Sequence, residues 1–266
     1  MRKSLITAVV MLILVILAVT ITVTKFPVII WSPPQKAEEV FEVVGNETIY
    51  LPLPKLTSSM KLEEALLYRR SIRDYLEKPL TMEQLSMILW ACQGVNDVRY
   101  GFRTAPSAGA LYPLEVFVLV GENNVESLKA GIYHYDPFSH SLTLLKKGDF
   151  MEDLCEACLG QEWVKKASIN LVIGAVFERT TKKYGDRGIR YVYLEAGHAA
   201  QNVYLECAAL DLGCVVIGAF FDEKVAEISC MPENCDPIYV IPVGVPKKVY
   251  RIDWSQIHDF ILRHRG

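Results

Sequence analysis

Arg69-Arg70-Ser71-Ile72-Arg73 closes an amphipathic stretch, and about 35 residues further on runs Thr104-Ala105-Pro106-Ser107-Ala108-Gly109-Ala110-Leu111-Tyr112-Pro113. As a pair, the two segments offer what a phosphorylated planar cofactor needs. Guanidinium forks and a hydroxyl suit a dianionic phosphate and a polyol. A loop of small residues lets backbone N–H and C=O groups approach a flat ring closely. Taken singly, an arginine cluster is more often a solvated face and a Pro-Ser-Ala-Gly loop an ordinary turn. The weight rests on their pairing and on the segments around them.

Upstream, Leu62 to Tyr68 reads as a short helix with Leu62, Ala65 and Leu66 on its apolar side. Between the two segments Thr81 can cap a second helix, with Gln84 completing a capping box and Leu80 packing on Leu85 as a staple. Leu85, Ile88, Leu89 and Cys92 recur at i, i+3, i+4 and i+7 and form its buried face. Downstream, Leu114–Val120 and Ile169–Val176 are continuous β-rich runs, as expected of central strands. Ile132–Tyr135 and Leu142–Leu145 flank Asp136-Pro137-Phe138-Ser139 and predict a hairpin. The longest helix runs from about Arg190 to Leu212. Its stripe is Val192, Ala196, Ala199, Val203, Cys207 and Leu210, thickened by Leu194, Leu205 and Ala208, so it is expected to be largely buried. Cys214–Ala219 and Ile238–Val245 supply two further strands. The class is α+β.

With 266 residues the chain holds one large domain or two small ones. A net charge of −3 argues against a nucleic-acid footprint. Seven cysteines, an odd count, do not form a disulfide framework. Cys155 and Cys158 lack the further ligands a zinc site needs and read as small core residues rather than a redox pair. Cys230 and Cys235 could close a small disulfide loop if the region lies outside the cell. Rossmann, P-loop, zincin and nucleophile-elbow signatures are absent, and the histidines show no metal-ligand spacing.

Ser4 to Thr24 is uncharged over 21 residues, which as a helix would span about 31 Å, one hydrocarbon thickness. Residues 1–32 are therefore expected to be an uncleaved, single-pass signal anchor. A slight excess of positive charge at Arg2 and Lys3 would leave the domain that follows extracytoplasmic. Residues 33–59, with four prolines, read as a linker. A domain over 60–250 and a C-terminal tail over 251–266 follow.

The order of the segments resembles the nitroreductase superfamily, in particular its SagB-type dehydrogenase branch. The stretches that carry the resemblance are the Arg69–Arg73 run, Leu89-Trp90-Ala91-Cys92-Gln93-Gly94, the Thr104–Pro113 loop and Gly131-Ile132-Tyr133-His134-Tyr135-Asp136-Pro137. Lys183-Tyr184-Gly185-Asp186-Arg187-Gly188, Glu195-Ala196-Gly197-His198-Ala199-Ala200-Gln201-Asn202, Ile217-Gly218-Ala219-Phe220 and Pro242-Val243-Gly244-Val245-Pro246 continue it.

That resemblance implies a nitroreductase-like fold, a mostly antiparallel central sheet flanked by helices, with FMN bound across a homodimer interface. Carried over by position, Arg69, Arg70, Ser71 and Arg73 hold phosphate and ribityl chain, and Ser107, Ala108 and Gly109 touch the flavin. Ile217 and Gly218 lie near its N5 edge, and Lys247 or Lys248 stands where relatives carry a phosphate-binding arginine. In azoline-oxidising relatives a Lys-Tyr dipeptide abstracts a proton while hydride passes to FMN, which casts Lys183 and Tyr184 as the catalytic pair. The alternative is that they are loop charge and packing. His198 and Glu195 read as hydrogen-bonded core residues. The resemblance implies an FMN-dependent oxidoreductase acting on a small-molecule or peptide substrate; the competing expectation is a membrane-tethered flavin-binding or redox-sensing module without turnover. NAD(P)H is the electron donor expected of a cytoplasmic domain, a quinone or substrate-derived hydride that of an outward one.

Overall fold

Residues 47–265 are described by the structure, a computed structural model. The expected anchor over 1–32 lies outside them, and among the described residues no helix is long and apolar enough to cross a membrane.

The two continuous apolar runs lie side by side. β2 (Leu114–Val120) pairs antiparallel with β5 (Ile169–Ala175), Phe117 opposite Val172, and every residue of both is buried. Alternate side chains leave a strand on opposite faces. Val116, Val118, Leu171 and Ile173 therefore enter one apolar layer, and Phe117, Leu119 and Val172 the other. With both faces covered, a strand reads as an unbroken apolar run, which is why no alternation is visible in the sequence.

The expected hairpin forms as β3 (Gly131–Asp136) and β4 (Ser141–Lys147). With β1 (Thr48–Tyr50), β6 (Gly213–Cys214) and β7 (Asp236–Gly244) they complete a seven-stranded sheet, order β1-β4-β3-β2-β5-β7-β6, in which every pairing of strands is antiparallel. The sequence places a linker over 33–59, yet Thr48–Tyr50 within it forms the edge strand against β4. The strand expected over Cys214–Ala219 is shorter than predicted. Opposite Cys214 is Val243; Val215 N–H still reaches Pro242 C=O at 3.3 Å, but Pro242 has no N–H to return the bond, and the next bridge is Ile217–Val240.

The first four helices are α1 (Leu62–Tyr68), α2 (Met82–Gln93), α3 (Met151–Ala157) and α4 (Trp163–Lys166). The capping box of α2 is present: Gln84 N–H donates to Thr81 Oγ1 at 3.1 Å and Thr81 N–H to Gln84 Oε1 at 3.0 Å. Its four predicted core residues pack on one face of the sheet together with Val192, Ala196, Ala199, Val203 and Cys207. Cys155 and Cys158 of the α3 region are buried on the other face, as core residues. Cys230 and Cys235 are separate thiols.

Helix α5 (Glu178–Tyr184) leads into α6 (Arg187–Ala209), the predicted long helix. Its burial departs from expectation: Leu194 is 53 % exposed, as is Tyr193, and Ile189 stands beside them. His198, expected in the core, is exposed as well. After α7 (Asp222–Ile228) comes a last correction. The expected tail contains α8 (Trp254–Arg263), started by Asp253, whose carboxylate accepts Ser255 N–H at 2.8 Å. Helical periodicity over ten residues with no buried position was the signal missed.

Candidate active site

Helix α1 stops because Arg69 leaves the helical region, at φ −53° and ψ 123°. The next residues run extended along the sheet edge: Ser71 bridges Cys214, and Ile72 N–H donates to Cys214 C=O at 2.9 Å. From the other side Lys247 N–H donates to Asp74 C=O at 3.0 Å. These two ties form a cleft of about 300 Å³ lined by Arg70, Ser71, Arg73, Lys247, Lys248 and Tyr250, among others. Four cations and a hydroxyl face one carboxylate, Asp74, so the cleft suits an anion. The Arg70 guanidinium lies over Tyr250, 4.0 Å from the ring centroid, which helps hold the fork in place. Lys247 Nζ pairs with Asp74 Oδ1 at 2.8 Å, but both are largely exposed, and an exposed pair of this kind is weak enough for a phosphate to displace. Arg69 is not brought into this cleft. Its guanidinium lies 5.2 Å from the Tyr204 ring, in a neighbouring crevice beside Cys207 and Cys214.

The small-residue loop is tied down at both ends. Thr104 Oγ1 donates to the carbonyls of Trp90 and Ala91, and Tyr112 N–H donates to Ser107 Oγ at 2.9 Å. Three of its residues take left-handed backbone: Gly109 at φ 66°, Ala110 at 54° and Tyr112 at 44°. Strain of this kind, outside glycine, gathers at functional sites. Gly109 is needed for a second reason. A Cβ there would stand 2.7 Å from Tyr184 Oη and 2.9 Å from Lys183 Nζ. The predicted catalytic dipeptide and the predicted flavin loop thus converge on one point.

Helix α5 delivers that pair. Gly185, at φ 55°, ends the helix with its N–H on Thr181 C=O, leaving Lys183 and Tyr184 on the last turn. Tyr184 is braced edge-on against Tyr191, centroids 5.1 Å apart. At the start of α5, Arg179 donates to Tyr112 C=O at 3.1 Å and pairs with Glu115 at 2.6 Å. Burial pushes the Glu115 carboxyl up, but His134 and Arg179 outweigh it and hold it below the usual carboxylate range. The loop and the α5 helix are therefore locked together by a buried charge.

Of the pair expected near the N5 edge, Ile217 is buried. Its N–H is given to Val240 C=O at 2.9 Å. Gly218, exposed next to it, is the member of that pair open to a ligand. Glu195, expected as a hydrogen-bonded core residue, is buried and borders the small-residue loop. It is 2 % exposed beside Ser107, with Oε1 buried and unpartnered among the described residues. Burial pushes its carboxyl up to about 7, against the opposing pull of Ser107 and Arg103. A glutamate within an otherwise apolar helical stripe was the available signal.

The cationic cleft and the loop meet α6 at different heights. Ser71 Oγ hydrogen-bonds Tyr204 Oη at 2.8 Å, whereas Ser107 lies beside Glu195. Nine residues of helix separate those contacts, about 13 Å along the axis.

A sheet covered on both faces, with an anion cleft at its edge and a Lys-Tyr pair against a strained glycine loop, defines a protein built to hold a flat, anionic cofactor. Residues 66–245 match the nitroreductase family model, and the chain belongs to this family of FMN-dependent oxidoreductases. It is 46 % identical over 199 residues to the nitroreductase-family protein MJ1384 of Methanocaldococcus jannaschii, covering 75 % of this chain and 98 % of that protein. A crystal structure of a nitroreductase-family protein from Ralstonia eutropha JMP134 superposes with a TM-score of 0.67 at 32 % identity, over 82 % of this chain and 98 % of that one. The microcin B17-processing protein McbC of Escherichia coli is 32 % identical over 169 residues, 62 % of this chain and 59 % of McbC. The McbBCD microcin synthetase complex with truncated pro-MccB17 aligns at TM-score 0.58 and 26 % identity, over 80 % of this chain and 87 % of the matched one.

Proposed function

We propose that this chain is a dehydrogenase or reductase that binds FMN between two copies of itself and acts on a small organic or peptide-derived substrate. The observation that carries the reading is the convergence of Lys183 Nζ and Tyr184 Oη on Gly109. FMN, when bound, supplies a hydride acceptor or donor at its N5. Arg70, Ser71, Arg73 and Lys247 hold its phosphate and ribityl chain, and Ser107, Ala108 and Gly109 lie against the ring. Lys183 and Tyr184 move the substrate proton that accompanies hydride transfer. The name of McbC as a microcin-processing protein supports a peptide-derived substrate. The purified protein is expected to be yellow and to bleach with dithionite. Colourless protein that takes up no added FMN would sink the reading.

The dimer rests on two features of α6. Its exposed Ile189, Tyr193 and Leu194 form an apolar strip, and the cleft and loop lie about 13 Å apart along it, so each loop is well placed to serve the partner's cleft. Leu194→Arg is expected to halve the mass seen by light scattering and to strip most of the FMN. A variant that stays dimeric and yellow would move the interface elsewhere.

A further inference from the structure

Ser107 carries one hydroxyl proton, and its direction is open. Its Oγ already accepts the Tyr112 N–H at 2.9 Å, which fixes the oxygen and leaves the O–H to donate. Within hydrogen-bonding reach of it lies Glu195, 2 % exposed, with a buried Oε1 that has no partner among the described residues. On its other side is the surface of the loop, where Gly109 is exposed. A carboxylate accepts only, whereas a protonated carboxyl can itself donate. A neutral Glu195 can therefore offer Ser107 Oγ a proton, where the carboxylate can only take one.

We propose that Glu195 is a positioning residue acting through Ser107: ionised, it draws the hydroxyl inward; neutral, it frees the hydroxyl to donate outward to bound FMN. This rests on the FMN reading above. An outward donor stabilises the negative charge of the reduced ring, so reduction is easier when Glu195 is protonated.

The surroundings leave Glu195 as the group that switches. Arg103, from the segment before the loop, is charged throughout. Burial lowers its pKa, but a guanidinium keeps its proton across neutral pH. It donates to Gln93 Oε1 at 3.1 Å and lies 4.6 Å from the Tyr112 ring centroid, and its Nε is buried without a partner among the described residues. Its charge pulls on Glu195 as a constant. Helix α2 adds Cys92, whose thiol burial pushes up to about 12. Burial also raises the Tyr112 phenol. Glu115 is paired with both Arg179 and His134 and acts on Arg103. On α6 itself Tyr191 and His198 sit one turn away on either side, His198 in solvent. With its carboxyl raised to about 7 by burial, Glu195 changes charge across neutral pH, holding its proton below that value and losing it above.

Two measurements test this. The first follows the midpoint potential of bound FMN between about pH 5.5 and 8.5. The native protein is expected to show a break in slope near pH 7 that disappears in both Glu195→Gln and Ser107→Ala. A break that survives in Ser107→Ala means Glu195 does not act through the hydroxyl, and one that survives in Glu195→Gln means it does not act at all; either overturns the proposal. The second needs no flavin. The infrared carboxyl band lost in Glu195→Gln is titrated in flavin-free protein, and Ser107→Ala should raise its midpoint by about one pH unit, because a hydrogen bond to the charged form is removed. An unmoved midpoint also overturns the coupling. Protein that takes up no FMN defeats the functional reading, while this second titration still decides the Glu195–Ser107 link.

Discussion

Lys183→Ala and Tyr184→Phe are each expected to lower turnover by about 10²-fold or more with FMN still bound, the loss typical of removing a positioned acid or base. The two changes are clean probes for structural reasons. Lys183 is exposed and forms no ion pair among the described residues, so its truncation costs packing little. Tyr184→Phe keeps the ring that rests edge-on against Tyr191 and removes only the hydroxyl. Both side chains end within 3 Å of where a Gly109 Cβ would stand, so either loss is felt at the loop rather than in the core. Steady-state rates, with flavin content read from the same sample, separate chemistry from binding. If both variants keep full activity on every substrate turned over, the dipeptide is structural.

Arg70→Ala is expected to weaken FMN binding by about 10- to 100-fold, the worth of a charge-assisted hydrogen bond to phosphate. Its guanidinium is held over Tyr250 and already positioned at the cleft, so little ordering is lost on binding. Arg73→Ala should act in the same direction with a smaller effect, since Arg73 is exposed and leans toward Trp163. Arg69→Ala should change affinity least, because Arg69 lies outside the cleft, over Tyr204. Titration of flavin fluorescence at two salt concentrations measures all three. Equal affinity in Arg70→Ala and the native chain would remove the phosphate from this cleft.

Much of this arrangement was legible without coordinates, because its signals are local. Thr81 with Gln84, the unbroken apolar runs and the Asp136–Ser139 turn each specify their own element. What was not legible depends on the third dimension. Glu195 and His198 lie three residues apart on one helix, yet one is buried and the other in solvent. The difference lies in which flank of the stripe meets the sheet, and that is set by distant neighbours. Leu194 looks like core by composition and proves to be surface. Arg69 and Arg70 are equivalent as letters, and only the extended backbone that begins at Arg69 sends one toward Tyr204 and the other toward Tyr250. The short β6 strand followed from Pro242, which acts across the ladder rather than along its own chain.

The edge strand β1 has a consequence for how the chain can be shortened. Thr48–Tyr50 covers the outer edge of β4, Leu51 N–H donates to His140 C=O at 3.1 Å, and Ser86 Oγ donates to Pro52 C=O at 2.6 Å. A chain begun at residue 60, where composition alone would set the boundary, strips β4 of its neighbour and leaves a row of unpaired backbone groups. Such an edge is a template for pairing with another molecule. Residues 48–52 thus act as a guard against self-aggregation, and a soluble fragment has to start ahead of them.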